Sequence, residues 1–205
     1  MKIAVIGAGN VGGALALAWA RAGHEIVLGV RNPEDHEIKA LVVAHQNITA
    51  GTVPEAANAA GIILVAVPVA AIIDVARALG EVKDKIIIDA TNSLFQKPAP
   101  YAHGVEAFKA VTRCADVVKC FNSTGFENMA DPRYGEVSAD MFVAGSSSRG
   151  KEFARQLALA AGFAECYDFG GDDKVALLEQ FALAWINLAI MQKYGRSITF
   201  KILRR

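Results

Sequence analysis

Short runs of consecutive apolar, mostly β-branched residues recur along the chain, at Lys2 to Ile6, Glu25 to Val30, Ile62 to Val67, Lys85 to Ala90, Val117 to Phe121 and Met141 to Ala144. They do not alternate polar with apolar positions as half-exposed strands do, so each reads as a strand buried on both faces, the pattern of a parallel sheet. Between them, Val11 to Ala22 and Val69 to Leu79 have helical length and composition. Strand, helix and strand repeated in this way predict an α/β fold: a Rossmann-type, doubly wound parallel sheet with helices on both faces.

The pattern changes after Gly145. Ser147 to Ala161 reads as an amphipathic helix, Ala164 to Phe169 as a last strand, and Gly170 to Asp173 as a turn that ends in a helix N-cap. Lys174 to Tyr194 then reads as one long helix closed by Gly195. From Val175 to Met191 it is apolar on nearly every face, with Glu179, Gln180 and Asn187 as the exceptions. A helix apolar all round has to be covered all round. The expectation is a Rossmann domain over residues 1–169 and a C-terminal helical segment over 170–205, which packs on that domain with one face. Its surplus, Phe181, Leu183, Ala184, Trp185, Leu188 and Met191, is expected to pair with a second copy in a homodimer and to wall off a shielded substrate pocket.

Composition narrows the function classes. With 53% hydrophobic residues the chain is globular, and 21 basic against 21 acidic side chains leave no global field to attract nucleic acid or an acidic membrane surface. The longest apolar run, Ile62 to Ile73, contains Pro68 and falls short of the ~20 residues that span a bilayer. Cys114, Cys120 and Cys166 form neither a CxxC pair nor a disulfide framework and are expected as buried small hydrophobes in a reducing cytoplasm. His24, His36, His45 and His103 have no ligand spacing, so no metal site is expected.

The most specific motif is KIAVIGAGNVGG, residues 2 to 13, a GxGxxG that leaves a strand and opens a helix. Gly7 permits the tight turn, Gly9 lets backbone approach a pyrophosphate, and Gly12 lets helix lie on strand. The amides of Ala8, Gly9, Asn10 and Val11 then face an anion at a helix N-terminus. In NAD-binding versions an acidic residue ends the second strand and holds the adenosine ribose hydroxyls. Here that place reads Gly29, Val30, Arg31, Asn32. A guanidinium in place of the acid selects a 2′-phosphate, so the expected cofactor is NADP(H). The alternative is that Arg31 is a solvated loop residue paired with Glu34 or Asp35.

Ligands of open parallel sheets sit beyond the carboxyl ends of the strands, where strand order reverses. Three further strand ends therefore matter: Val65 to Pro68, including Val67 and Pro68; Asp89 to Ser93, including Thr91 and Asn92; and Lys119 to Phe126. Each is also ordinary turn chemistry.

At these residues the chain resembles the coenzyme-F420-dependent NADP oxidoreductases and their bacterial relatives. The resemblance covers nearly the whole length: the KIAVIGAGNVGGALALAWARAGHEIVLGVRNP opening, the VVKCFNSTGFENMADP loop, the DMFVAGSS strand, and LLEQFALAWINLAI with GRSITFKILRR. Through VVKCFNS it is also similar to the NADPH-binding domain of membrane ferric reductases. The resemblance implies NADP contacts from Ala8, Gly9, Asn10, Val11, Val30, Arg31, Val67, Ala71, Asn92 and Phe126, and direct hydride transfer between nicotinamide and a deazaflavin without an acid–base residue. It implies a small-molecule redox acceptor: F420 or a flavin, with a quinone or ferric chelate also fitting an apolar pocket between Phe126 and the final helix. Two other readings remain open: a carbonyl reductase related to 3-hydroxyacid dehydrogenases, with Lys174 as proton donor, and a non-catalytic NADP-binding redox sensor.

Overall fold

The computed structural model describes residues 1–205. In chain order the elements are β1 (Lys2–Ile6), α1 (Asn10–Arg21), β2 (Glu25–Gly29), α2 (His36–Ala44), β3 (Ile48–Gly51), α3 (Val53–Ala59), β4 (Ile62–Val65), α4 (Ile72–Ala78) and β5 (Ile86–Asp89). There follow α5 (Gly104–Thr112), β6 (Val117–Cys120), α6 (Phe126–Ala130), the hairpin β7 (Arg133–Tyr134) and β8 (Val137–Ser138), β9 (Asp140–Ala144), α7 (Ser148–Ala160), β10 (Glu165–Gly170) and α8 (Val175–Ile186). The main sheet has eight strands in the order β10-β9-β6-β5-β4-β1-β2-β3. The chain steps outward from β1 through β2 to β3, then restarts at β4 on the other side of β1. That reversal opens a crevice between the carboxyl ends of β1 and β4.

Two apolar layers cover the sheet, and the strands supply both because successive side chains point to opposite faces. Ile3 and Val5 join the layer of α1 and α7, whereas Ala4 and Ile6 join the layer of α3, α4, α5 and α8. Trp19 anchors the first layer: it is fully buried, its indole N–H donates to the Leu157 carbonyl at 2.8 Å, and its ring meets Phe121 edge-on with centroids 5.4 Å apart. Val175 and Leu178 of α8 share the second layer with Ile63 and Ile87, so the C-terminal segment is built into the domain's core. All three cysteines are buried and free.

Several expectations are corrected. The sheet is not wholly parallel: β9 runs antiparallel to β6, and β10 follows β9. A parallel return needs a crossover, usually a helix laid across the sheet; the segment between β6 and β9 is long enough but holds only the five-residue α6 and the short hairpin. Because β9 is buried along its whole length, its hydropathy gives no hint of direction. The sequence pattern also missed β3, a half-exposed edge strand, and the β7–β8 hairpin.

The final helix is shorter and compound. Asp172–Lys174 forms a 3₁₀ turn, α8 ends at Ile186, and Asn187–Met191 winds as a π turn. Gly195 does close it, at φ +86° with its N–H on the Ala189 carbonyl, after a turn at Lys193. The second face of α8 is covered by the chain's own tail. Phe200 stacks on Phe181 at 4.3 Å, the Trp185 indole N–H donates to the Ile198 carbonyl at 2.7 Å, and buried Asp140 accepts from the Ile202 N–H and Lys201 Nζ. Trp185 is therefore an internal residue, not part of an exposed pairing surface.

Trp19→Leu removes ring packing and the indole bond to the Leu157 carbonyl, which keeps only the Ala161 N–H. It is expected to destabilise the protein by about 3 kcal/mol or more, measured as a lower urea midpoint with an unchanged m-value.

Candidate dinucleotide site

The crevice is shaped by glycines used in different ways. Gly7 adopts φ +89°, and a side chain there would press a Cβ to 2.5 Å from the Ala66 carbonyl oxygen, so turn and neighbouring strand end touch backbone to backbone. A Cβ on Gly12 would overlap the Gly7 carbonyl itself, so α1 lies directly on its own turn. At Gly9 a Cβ would meet nothing within 4 Å. This open cradle lies at the N-cap of the twelve-residue α1, where no side chain caps the helix and no acidic residue occupies the first turn. Uncapped amides at a helix N-terminus are the arrangement that favours an anion.

Two cavities meet at this turn, sharing Gly9, Ala66, Val67 and Pro68. The larger, about 640 Å³, runs from Gly7 and Ala8 past Val30, Arg31 and Asn32 to Ala71. The smaller, about 310 Å³, runs from Asn10 and Val11 past Val69 to Thr91 and Asn92. Arg31 is exposed at the rim of the larger cavity and has no carboxylate within ion-pair distance. Its two candidate partners are otherwise engaged. Glu34 pairs with Lys39 at 2.8 Å, a contact that lowers the Glu34 carboxyl below its ordinary value, and Asp35 caps α2 by accepting the Glu37 N–H at 2.9 Å. Asn32 braces the same loop by accepting the Glu34 N–H. Neither Glu34 nor Asp35 pairs with Arg31, whose guanidinium stands exposed beside an open cavity.

The far wall is polar and buried. Asp89 Oδ1 accepts the Thr91 N–H at 2.9 Å, and Lys119 Nζ donates to the Thr91 carbonyl at 2.6 Å. Lys119 is fully buried, with Asp89 Oδ2 at 2.6 Å and Glu179 Oε1 at 2.8 Å. The two carboxylate oxygens lie off the hydrogen-bond direction, so these contacts are ionic at close range rather than directional. Each buried ion costs several kcal/mol to desolvate, and removing one partner of such a set costs about 3 to 5 kcal/mol. Beside it, Asn122 Nδ2 donates to Asn92 Oδ1 at 2.9 Å, and Asn92 Nδ2 returns a bond to the Asn122 carbonyl at 3.1 Å. Phe121, at φ +58°, supplies the left-handed turn that brings Asn122 to Asn92. The Thr91 hydroxyl lies buried without a partner at this wall.

Of the residues expected at the site, Gly7, Ala8, Gly9, Asn10, Val11, Val30, Arg31, Asn32, Val67, Pro68, Ala71, Thr91 and Asn92 line one or both cavities. Gly12 lies beneath them. Phe126 lines neither: Arg196 lies 5.3 Å over its ring and 5.5 Å from the Trp185 ring, and Gly125 abuts Trp185. The apolar pocket expected between Phe126 and the final helix is thus filled by the protein's own side chains. Lys174 is also displaced from the expected role, since it is half-exposed, pairs with Asp173 at 2.5 Å, and lines neither cavity. Sequence reasoning missed the Asp89, Lys119 and Glu179 set. Its signals were an acid in an otherwise apolar helix and a lysine inside a strand read as buried on both faces. His103 is half-buried and caps α5 by accepting the Glu106 N–H, while burial, with the nearby Lys119 charge, lowers its imidazole below the ordinary value.

Comparison with known proteins adds to this geometry. Residues 2–93 match the family model described as NADP oxidoreductase, coenzyme F420-dependent. The F420-dependent NADP reductase of Methanothermobacter thermautotrophicus is 28% identical over 94% of this chain and 91% of its own, and that of Methanothermobacter marburgensis is 29% identical over 94% of each. A solved structure from Arthrobacter sp. FB24, provisionally assigned as an F420-dependent NADP reductase, superposes with a TM-score of 0.84 at 26% identity over the whole of both chains. The glycine cradle lies inside the matched residues and the likeness continues through the C-terminal helix, so the chain is similar over nearly its whole length to coenzyme F420-dependent NADP oxidoreductases.

Proposed function

We propose that the protein is an NADPH-dependent oxidoreductase that passes hydride between NADP(H) and a planar redox acceptor, an F420-like deazaflavin or a flavin. The observation that carries this reading is the unpaired Arg31 guanidinium on the cavity that opens from the Gly9 cradle. A buried orphan hydroxyl at Thr91, on the other cavity, fits a ligand with polar groups at both ends. The α1 amides at Asn10 and Val11 would hold the pyrophosphate, Arg31 with Asn32 the 2′-phosphate, and Val67, Pro68, Thr91 and Asn92 the nicotinamide end. NADPH supplies the hydride when bound. The chain's own part is to fix that end against a wall clamped by Asp89 and Lys119 and to keep water off it with Val67, Pro68, Val69 and Ala90. The free buried cysteines accord with a cytoplasmic setting.

Oligomerisation belongs to the same proposal, on a narrower surface than the sequence suggests. Leu177, Ala184, Leu188 and Met191 lie along one face of the final helix, with Leu177 54%, Leu188 36% and Met191 56% exposed. By length and composition the segment Asp172–Met191 could cross a membrane, but Val175, Leu178, Glu179, Ala182 and Trp185 are built into the protein interior. We assign the remaining apolar face to a second copy of the chain. Wild-type protein is expected to sediment as a dimer at micromolar concentration and Leu188→Asp as a folded monomer; a wild-type monomer refutes the pairing.

Titration calorimetry tests the cofactor reading. NADPH is expected to bind about tenfold or more tighter than NADH, and Arg31→Ala to remove most of that difference, because a charge-assisted fork is worth about 1.5 to 3 kcal/mol. Equal affinity of the wild-type protein for both overturns the assignment. Gly9→Val, which meets nothing in the folded chain, is expected to abolish NADPH binding with an unchanged melting temperature.

A further inference from the structure

We infer that Lys119 is a positioning residue that couples the docking of α8 to the nicotinamide end of the crevice. The inference rests on the NADP(H) reading above and concerns one half of that ligand. Two ties run in parallel from adjacent wall residues, through β6 and the turn after it, to adjacent residues of α8. In the first, the Thr91 carbonyl is held by Lys119 Nζ, which is held in turn by Glu179 of α8 at 2.8 Å. In the second, Asn92 exchanges bonds with Asn122, whose Nδ2 also reaches the Leu178 carbonyl of α8 at 3.4 Å. Asp89 completes the clamp by accepting the Thr91 N–H with one carboxylate oxygen while the other lies 2.6 Å from Lys119 Nζ. The backbone of Thr91 is thereby fixed at both its N–H and its C=O, in two successive peptide groups, by charged side chains.

A structural role for a buried ion set would require only that charges be paired somewhere in the core. This set is placed where it fixes a specific object. Lys119, Asp89 and Glu179 are each at most 2% exposed, and Lys119 is the only fully buried lysine in the chain. Its carbonyl partner belongs to a residue that lines the smaller cavity. The larger cavity, with Arg31, contains none of Thr91, Asn92, Lys119, Asn122 or Glu179. Loosening the clamp should therefore weaken contacts at one end of the dinucleotide and spare the other, which a general loss of stability would not do. Coupling is reciprocal in binding free energy, so a ligand that reaches the Thr91–Asn92 wall should also steady α8.

The test uses two ligands: NADPH, and adenosine 2′,5′-bisphosphate, which carries only the adenosine end. Calorimetry is run on the wild-type full chain, Lys119→Met and Glu179→Gln, with folding checked by circular dichroism and melting. The expected result is a dissociation constant for NADPH raised about tenfold in Lys119→Met and less in Glu179→Gln, with the bisphosphate unchanged within about twofold in both. In hydrogen exchange of the wild type, NADPH should protect amides in Val175–Ile186 and the bisphosphate should not, and Lys119→Met should abolish that difference. Should Lys119→Met fail to fold, Glu179→Gln decides by the same selective loss and the same exchange difference. Unchanged NADPH binding in the folded variants, or equal loss of both ligands, overturns the inference while the NADP(H) reading stands. Wild-type protein that binds neither ligand overturns that reading, and this inference with it.

Discussion

The architecture of the crevice depends on one backbone contact, the seating of Gly12 on the carbonyl of Gly7. No side chain fits between them, and the Gly7 turn in turn touches the Ala66 carbonyl at the end of β4. Helix α1 is thus aimed by backbone contact alone at the point where the strand order reverses. Its uncapped N-terminus faces the gap between β1 and β4, and Gly9 keeps that gap open. The helix end supplies partial positive charge. Arg31, left free because Lys39 and the α2 cap engage the nearby acids, supplies a full one some way along the same cavity.

The opposite wall is organised by charge rather than by close approach. Hydrophobic side chains could fill the space of Lys119, Asp89 and Glu179, often without loss of stability, so a buried ion set is poor evidence for stability as such. What it supplies here is direction. The carbonyl and the N–H of one residue, Thr91, are both held, and the grip extends to an element more than eighty residues away in sequence. The apolar residues of the crevice, Val67, Pro68, Val69 and Ala90, have no such directionality and serve instead to exclude water.

The parts of the fold legible in the sequence are those where burial and periodicity coincide. Strands β1, β4, β5 and β6 are almost wholly buried, and their apolar runs mark them, interrupted only by Lys119 within β6 and the charged ends Lys2 and Asp89. The direction of β9 was not legible, since a strand buried on both faces has the same pattern whichever way it runs. Edge strand β3, with one buried residue in four, lacks any run to detect. At the site the glycine cradle and Arg31 could be read because their chemistry is local in the chain. The clamp on Thr91 could not, because its members at 89, 119 and 179 meet only through the topology. Phe126, for which the resemblance implies a cofactor contact, lines neither cavity, and Arg196, seventy positions on, lies over its ring.

The final helix shows how far a hydropathy argument carries. An all-round apolar helix does have to be covered on more than one face, but the pattern cannot say by what. Here one face packs into the layer of Ile63 and Ile87, and a second is covered by the returning tail through Ile198 and Phe200. That accounts for Phe181 and Trp185 without any partner. The tail is fixed in place by polar contacts at buried Asp140, and by Arg196 pairing with Glu127, so its cover of α8 is specific rather than a loose collapse. What remains uncovered on the helix is Leu177, Leu188, Ile190 and Met191. The helix is therefore held from within by the domain and its own tail, and its exposed apolar surface is far smaller than its hydropathy alone implies.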